Sequence, residues 1–258
     1  MKYVWLLCAF ILGSTAFSSG SIAQDQEGEE LGLEILSELV FYRTVEGMGG
    51  TRDLNMAMKA RLIEAGFTEA EVQVISYDGE HYSLLARYGA SGPTSDRSNG
   101  KKPILLLAHI DVVDALREDW SDELDPFTLT RKDIYFYGRG AVDNKAGAAA
   151  LITTFIRLKR DGFVPSRDLI LVLTADEETS GRSIEWLVNE RRELVDAEFA
   201  LNSDAGGGTL RDGEAISYTV QSSEKIYLSF AMEIRNDGGH SSLPREDNAI
   251  YALASALG

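Results

Sequence analysis

The sequence predicts an α/β fold, with a mainly parallel sheet and helices on both of its faces. Three short apolar runs suggest the strands, at residues 104–108, 169–175 and 199–202. Strands that are buried on both faces typically have continuous apolar sequences of this kind. Two segments with helical character separate the runs, at residues 141–159 and 183–192. Such alternation of strand and helix indicates a parallel sheet.

The segment before this alternation predicts two helices and a hairpin. Residues 31–45 carry apolar side chains at helical spacing, and residues 51–64 begin with a Thr-Arg-Asp sequence that suits a helix N-terminus. Residues 71–77 and 82–88 resemble two strands joined by an Asp-Gly turn signal. Residues 90–102 are rich in Gly, Ser and Pro, which predicts a surface loop.

The sequence pattern changes after three consecutive glycines, Gly206 to Gly208. Residues 215–221 and 225–235 are partly alternating, which is typical of an antiparallel sheet with one solvated face. Residues 248–257 then predict a helix. We therefore expect two domains after the N-terminal segment, at residues 24–208 and 209–258.

The first 23 residues have the pattern of a secretory signal peptide. Lys2 supplies a positive start, residues 4–12 are apolar but too short to span a bilayer, and Ser21-Ile22-Ala23 offers small residues for cleavage. An uncleaved membrane anchor is the alternative, and the shortness of the apolar run favours the signal. We expect an exported protein, periplasmic or secreted, that has no membrane attachment after cleavage.

Charge and cysteine content restrict the partners. The formal net charge is −16, and removal of the signal would take away only the positive charge of Lys2. An acidic chain of this kind argues against nucleic acid or an anionic membrane surface as a partner. The sole cysteine, Cys8, lies within the signal, so the mature chain would contain no disulfide. Its stability would rest on its core and on any bound metal.

Acidic and histidine residues follow the predicted strands or begin a predicted helix. They are His109, Asp111, Asp143, Glu177, Glu178 and Asp204. In open α/β sheets, ligands bind beyond the carboxyl ends of the strands, so these side chains are expected to converge. One imidazole and several carboxylates suit a borderline metal such as zinc. The sequence therefore predicts the metal site of a metallohydrolase.

Each of these residues also has a simpler interpretation. His109 could be a hydrogen-bonded structural histidine, Asp143 a helix cap and Glu177-Glu178 a solvated loop. When these residues are taken together, their shared location after the predicted strands favours a functional site. Asp111, two residues after His109, could orient the imidazole, and one of two adjacent glutamates could bind metal while the other accepts a proton. His81, beside the predicted hairpin turn, is interpreted as structural.

Six sequence strings carry a family resemblance. They are LLLAHIDVV, W…DPF, YGRGAVDNKAG, TADEETSG, NSDAGG and NDGGHSSLP. In order and spacing they resemble those of the di-zinc metallopeptidases that include carboxypeptidase S, glutamate carboxypeptidase, acetylornithine deacetylase and the aminoacylases. The similarity extends over about residues 31–258, and W…DPF favours the carboxypeptidase S-like branch. It implies a zinc-exopeptidase-like catalytic domain at residues 24–208 and the start of an inserted α+β lid and dimerisation domain at residues 209–258.

The resemblance implies two zinc ions in a complete active site, with Co²⁺ or Mn²⁺ as alternatives. His109 and Asp204 would hold one ion, Glu178 would hold the other, and Asp143 would bridge both. Glu177 would be the general base, and Asp111 would orient the imidazole.

His240 resembles the lid-domain histidine of this family. In the family, that histidine reaches a neighbouring active site across a homodimer and polarises the scissile carbonyl. The alternative interpretation of His240 is an exposed turn histidine. The resemblance favours the catalytic role and a homodimer when the protein is full length.

The sequence departs from the family pattern in two places. The family's second zinc takes a final histidine from a segment after the lid domain, whereas no histidine follows His240 here. We therefore expect a C-terminally truncated chain with an incomplete catalytic domain and an incomplete second metal site. Asn144 stands where many relatives carry a second acidic residue, and since that position is not a ligand we expect little consequence.

The resemblance implies a zinc-dependent hydrolase of amide bonds, of the carboxypeptidase or dipeptidase type, acting on small peptides, and the N-terminal pattern predicts that this hydrolase is exported. A zinc-bridging hydroxide would attack the carbonyl, and Glu177 would take the proton. An N-acyl-amino-acid deacylase is the alternative within the family. An inactive fragment or pseudoenzyme that lacks the last metal ligand is the alternative outside it.

Overall fold

A computed structural model of the protein describes residues 19–89, 100–223, 225–226, 228–240, 242–243 and 245–257. The predicted signal peptide and the loop predicted at 90–102 lie largely outside these residues. The chain divides into two compact units, with the boundary between Gly206 and Gly207. Among the described residues, no helix combines the length and the apolar character needed to cross a membrane.

Seven strands and five α-helices make up the described part of the first unit. The strands are β1 (Val72–Ser76), β2 (Tyr82–Tyr88), β3 (Ile104–His109), β4 (Thr130–Lys132), β5 (Tyr135–Tyr137), β6 (Leu169–Thr174) and β7 (Phe199–Asn202). The helices are α1 (Ser19–Phe41), α2 (Gly50–Glu64), α3 (Lys145–Arg160), α4 (Arg182–Glu190) and α5 (Arg192–Val195), and a 3₁₀ turn spans Arg117–Asp119.

The central sheet has the strand order β1-β2-β6-β3-β7. Strand β3 lies between β6 and β7 and pairs with both in parallel, and His109 at its end is opposite Thr174. The β1–β2 hairpin joins this parallel part through an antiparallel pairing of β2 with β6. The predicted α/β class with a mainly parallel sheet is confirmed.

Two apolar clusters fill the space between the sheet and its helices. The larger cluster joins α1, α2 and α3 to one face, and its sheet residues include Leu171. The smaller cluster joins α4 and α5 to the other face, and its sheet residues include Ile170. Neighbouring residues of β6 contribute to opposite clusters because side chains alternate along a strand. The rigid sheet therefore fixes the positions of the loops that leave its carboxyl end.

Helix α1 spans Ser19–Phe41 rather than the predicted residues 31–45. Two further features of the first unit also differ from the prediction. Helix α3 begins at Lys145 rather than at residue 141, because Gly140 adopts φ +78° and the chain is still turning there. The short β4–β5 hairpin was not predicted; its turn includes Asp133 at φ +56°, a conformation that a short Asp side chain tolerates. Both features lie in the segment that leads to Asp143.

The second unit contains a hairpin of β8 (Gly207–Arg211) and β9 (Glu214–Thr219), followed by helix α6 (Ala249–Leu257). The prediction of a strand over residues 225–235 is wrong for the described residues of that range, which form no strand. A strand requires a neighbour for its ladder of hydrogen bonds. Apolar side chains of this segment, such as Ile226 and Phe230, are exposed.

Candidate metal centre

His109 is buried at the end of β3, and both of its ring nitrogens face hydrogen-bond partners. Nδ1 lies 3.1 Å from the backbone carbonyl oxygen of Asp111 and 3.5 Å from Asp111 Oδ1. A proton on Nδ1 can therefore be donated to Asp111, which leaves Nε2 as the coordinating atom. The imidazole orientation is fixed from within the same strand end.

Three carboxylates surround the Nε2 atom of His109. Asp143 Oδ1 lies 2.9 Å from it, Glu177 Oε2 3.8 Å and Asp204 Oδ1 3.9 Å. These residues come from the loop before α3 and from the segments that follow β6 and β7. The convergence predicted at the carboxyl ends of the strands is therefore present in the structure.

Two groups of side chains have the dimensions of a metal site. His109, Asp143 and Glu178 form one, and His109, Glu177 and Asp204 form the other, each with ligand atoms within 4.8 Å of one another. Ligand atoms on a tetrahedral zinc lie roughly 3.4 Å apart, since the bonds measure about 2.0–2.2 Å. Both groups fit a cation of this size. Because Nε2 of His109 can bind only one ion, a second ion would depend on carboxylates.

The protonation behaviour of the site reflects its excess of negative charge. Burial raises the pKa of Glu177 and of Glu178, and repulsion from neighbouring carboxylates raises both further against the opposing effect of His109. Burial disfavours the charged form of His109, but hydrogen bonds to Asp111 and Asp143 and the nearby negative charges outweigh it and raise the pKa to about 9. A divalent cation would relieve this repulsion, and the donor set therefore fits zinc.

Asn144 ties the loop that carries Asp143 to the strand end that carries Asp204. Its side chain is buried, and its Oδ1 accepts a hydrogen bond of 3.3 Å from Ser203 Oγ. The first turn of α3 passes so close that a Cβ on Gly147 would overlap both groups. Asn144 follows Asp143 directly and contacts Ser203, which precedes Asp204. The expectation that the change at position 144 has little consequence stays a prediction. The peptide bond between Asp143 and Asn144 is cis.

Lys145 is a buried residue that was not among the predicted site residues. Its Nζ donates a 2.7 Å hydrogen bond to the backbone carbonyl of Tyr42. Burial lowers its pKa to about 7, against a smaller opposing effect of Asp111. The sequence signal for this residue was a single lysine within GAVDNKAGAAA, a string of mostly small residues. Lys145 anchors the start of α3, and with it the loop of Asp143, to the end of α1.

The W…DPF string also supports the loop that leads to Asp143. The backbone carbonyl of Pro126 accepts a 2.6 Å hydrogen bond from the backbone N–H of Arg139, and the Arg43 guanidinium lies over the Phe127 ring at 5.1 Å. In the sequence this string indicated only a family branch. In the structure it positions the Gly-Arg-Gly loop.

His240 belongs to the second unit and is exposed there. Its Nδ1 accepts a 3.3 Å hydrogen bond from the backbone N–H of Ser242. Its predicted role at a neighbouring active site stays a prediction.

The fold and the candidate site resemble those of metallopeptidases of the zinc-exopeptidase type. Residues 105–257 match the family model described as Peptidase family M20/M25/M40. The match extends over more than half of the chain, and the chain belongs to this family. The resemblance derived from the six sequence strings is confirmed.

Curated relatives agree with this assignment. N-fatty-acyl-amino acid synthase/hydrolase PM20D1 of Xenopus tropicalis is 31% identical over 190 residues, which cover 72% of this chain and 36% of the relative. Carboxypeptidase S of Saccharomyces cerevisiae is 34% identical over 164 residues, which cover 60% of this chain and 28% of the relative. The matches thus span about a third of the length of these relatives.

Solved structures show the same fold. Human carnosine dipeptidase 1 matches with a TM-score of 0.55 and 22% identity over 73% of this chain and 42% of its own. The M20 family metallo-carboxypeptidase Sso-CP2 from Sulfolobus solfataricus matches with a TM-score of 0.56 and 20% identity, over 68% and 38% of the two chains.

Proposed function

We propose that this protein hydrolyses amide bonds of small peptides with the help of bound zinc, as a carboxypeptidase or dipeptidase. One observation carries the proposal: Nε2 of His109 lies within 3.9 Å of three carboxylates that come from three separate segments of the chain. The family assignment and the similarity to carboxypeptidase S support it.

The proposed ligands are those that the family motifs indicate. His109 and Asp204 would hold one zinc ion, Glu178 would hold a second, and Asp143 would bridge them. Zinc, when bound, is a Lewis acid that polarises a carbonyl and lowers the pKa of water from about 15.7 towards about 7. Co²⁺ or Mn²⁺ could serve in its place.

Glu177 is the proposed general base. Its side chain is half exposed, so it can meet both water and substrate, and its Oε2 lies 3.8 Å from the candidate ligand atom of His109. The raised pKa of Glu177 brings it closer to the working pH, which suits a group that accepts a proton and later releases it. Glu177 would take a proton from the attacking water and deliver it to the leaving amine. His240 of a second protomer would donate a hydrogen bond to the developing oxyanion.

Substitution of the two glutamates separates base from ligand. Glu177→Gln should abolish hydrolysis of a dipeptide panel and leave zinc content unchanged, whereas Glu178→Gln should lower zinc content. Glu185→Gln, at an exposed position of α4, is the matched control and should change neither quantity. Loss of zinc from Glu177→Gln would show that this residue is a ligand and that its assignment as base is wrong.

Hydrolysis of N-acyl amino acids is the second candidate function. Exposed apolar side chains lie just upstream of Asp143, including Ile134, Tyr135 and Val142. Such a surface suits a substrate with a long apolar acyl chain, and the relative from Xenopus tropicalis is named for that chemistry. A series of N-acyl amino acids of increasing chain length, compared with dipeptides by kcat/KM, distinguishes the two functions.

The proposed setting is outside the cytoplasm. Residues 1–23 would direct export and be removed, and the mature protein would act as a homodimer. The charge and hydropathy pattern of the N-terminus supports export. The mass of the secreted product and its sedimentation behaviour test cleavage and dimerisation separately.

A further inference from the structure

Asp176 precedes the two glutamates but has a different environment. It is completely buried, whereas the side chain of Glu177 is half exposed. Neither of the two ligand groups includes it. A buried carboxylate requires hydrogen-bond donors, and the donors that contact Asp176 indicate its structural role.

The carboxylate of Asp176 holds the first turn of α4. Both of its oxygens lie 3.1 Å from the backbone nitrogen of Ser183, and Oδ1 also accepts a hydrogen bond from Ser183 Oγ. Its Oδ2 accepts a 2.8 Å hydrogen bond from Ser180 Oγ. The N-cap residue of α4, Gly181, has no side chain to cap the helix. Asp176 therefore caps α4 from across the turn.

The backbone of Asp176 closes the same turn. Its carbonyl oxygen accepts hydrogen bonds from the N–H groups of Ser180 at 3.0 Å and Gly181 at 2.7 Å. Gly181 has φ +63°, a conformation that glycine adopts without strain. Residues 177–180 thus form a short turn, and hydrogen bonds of Asp176 hold it at both ends. Glu177 and Glu178 project from this turn.

Tyr77 supports Asp176 from the β1–β2 hairpin. Its hydroxyl donates a 3.2 Å hydrogen bond to Asp176 Oδ2 and lies 3.3 Å from His81 Nδ1. The Tyr77 ring stacks on the His81 ring at 5.7 Å, and Asp78 and Glu46 hold that imidazole at 2.6 and 2.9 Å. The contacts therefore continue from the hairpin to the turn that carries the glutamates.

We infer that Asp176 is a positioning residue of the metal centre. It holds the turn that carries Glu177 and Glu178 and thereby determines their positions. Tyr77 supports Asp176 through its hydroxyl group. The inference rests on the proposed function, because it concerns the same glutamates. Asp111 holds Glu178 from the other side of the turn through a 2.9 Å hydrogen bond to its backbone N–H. The turn is fixed from two strand ends.

Metal binding tests this inference without reliance on activity. The visible spectrum of the Co²⁺-loaded chain reports ligand geometry, and competition with a chromophoric chelator gives zinc affinity. Asp176→Asn should alter the spectrum and weaken zinc binding roughly 10- to 100-fold, as is usual for groups that orient ligands. Tyr77→Phe removes one donor to Asp176 and keeps the stacked ring, so its effect should be smaller and in the same direction.

Asp168→Asn is the matched control. Asp168 lies just before β6, whereas Asp176 lies just after it. Asp168 accepts a 2.9 Å hydrogen bond from Arg87 at the end of the sheet opposite the metal centre. This variant should keep the wild-type spectrum and zinc affinity.

The outcomes separate the inference from the proposed function. A folded Asp176→Asn variant with wild-type spectrum and affinity would overturn the inference and leave the function intact. A wild-type chain that binds neither metal would refute the function itself. If Asp176→Asn does not fold, Tyr77→Phe tests the positioning role of Asp176 in its place. Unchanged metal binding in Tyr77→Phe would then overturn the inference.

Discussion

Asp111 contacts two candidate metal ligands that lie far apart in the sequence. Its Oδ2 accepts a 2.9 Å hydrogen bond from the backbone N–H of Glu178, and its Oδ1 lies 3.5 Å from Nδ1 of His109. The contact depends on strand register, because His109 is opposite Thr174 in the parallel pair and both chains leave the sheet together. One buried carboxylate thus couples the ends of two strands.

Replacement of Asp111 should weaken the metal centre. In Asp111→Asn, a single amide oxygen cannot both accept the Glu178 N–H and face the His109 ring. We expect zinc affinity to fall about 10- to 100-fold, measured by chelator competition. Asp119→Asn, at an exposed position of the 3₁₀ turn, should have no effect. Equal affinities of Asp111→Asn and wild type would show that this coupling does not matter for metal binding.

Two glycine substitutions in helices should change stability in opposite directions. A Cβ on Gly147 would overlap Asn144 and Ser203, so Gly147→Ala should lower the free energy of unfolding by about 1–3 kcal/mol. On Gly32 in α1, a Cβ would make only an ordinary contact with Thr153 Oγ1 at 3.6 Å. Gly32→Ala should therefore raise that free energy by up to about 1 kcal/mol. Urea titration measures both, and a neutral Gly147→Ala would contradict the close packing beside Asp143.

His81 should make stability depend on pH. Burial lowers its pKa, but hydrogen bonds and charges from Glu46 and Asp78 outweigh this and raise it from 6.5 to about 9. A raised folded-state pKa gives stability that is complete below pH 6.5 and is lost as the pH rises through about 9.

The measurement is the difference in unfolding free energy between wild type and His81→Gln across this range. We expect the advantage of wild type to shrink by about 1–2 kcal/mol as the pH rises, after allowance for solvent screening. The difference removes the contributions of groups that both proteins share, including His109 and Lys145. An advantage that stays constant with pH would argue against an ion-paired His81.

The predictable parts of this protein are those that depend on local pattern. Apolar runs located β3, β6 and β7, and the rule that ligands gather at the carboxyl ends of strands brought His109, Glu177 and Asp204 together in advance. The hydrogen-bond partners of Asp176 were not predictable in this way. Tyr77, 99 residues away in the sequence, meets Asp176 only through the packing of the sheet. Ser183, seven residues after Asp176, meets it only because of the conformation of the intervening turn.

Other errors have similar physical origins. The prediction placed the start of the crossover helix at residue 141, because composition does not register the turn at Gly140 or the burial of Lys145. The strand predicted over residues 225–235 has a suitable alternating pattern, but pattern alone does not provide a neighbouring strand. Local signals thus identified the chemistry of the site, and tertiary contacts determine how it is held.

The proposed function depends on zinc binding by the cluster around His109, and the zinc content of the purified chain measures this binding. The chain would be equilibrated with zinc, freed of unbound metal and analysed by mass spectrometry for metal, with hydrolysis of a dipeptide panel in parallel. His109→Ala is the test variant, and Glu185→Ala, at an exposed position of α4, is the control. If the cluster around His109 binds zinc, wild type and Glu185→Ala should contain zinc and His109→Ala should lose it, with two ions and turnover if the second site is complete. No zinc in wild type, or equal zinc in His109→Ala, would contradict zinc binding by this cluster.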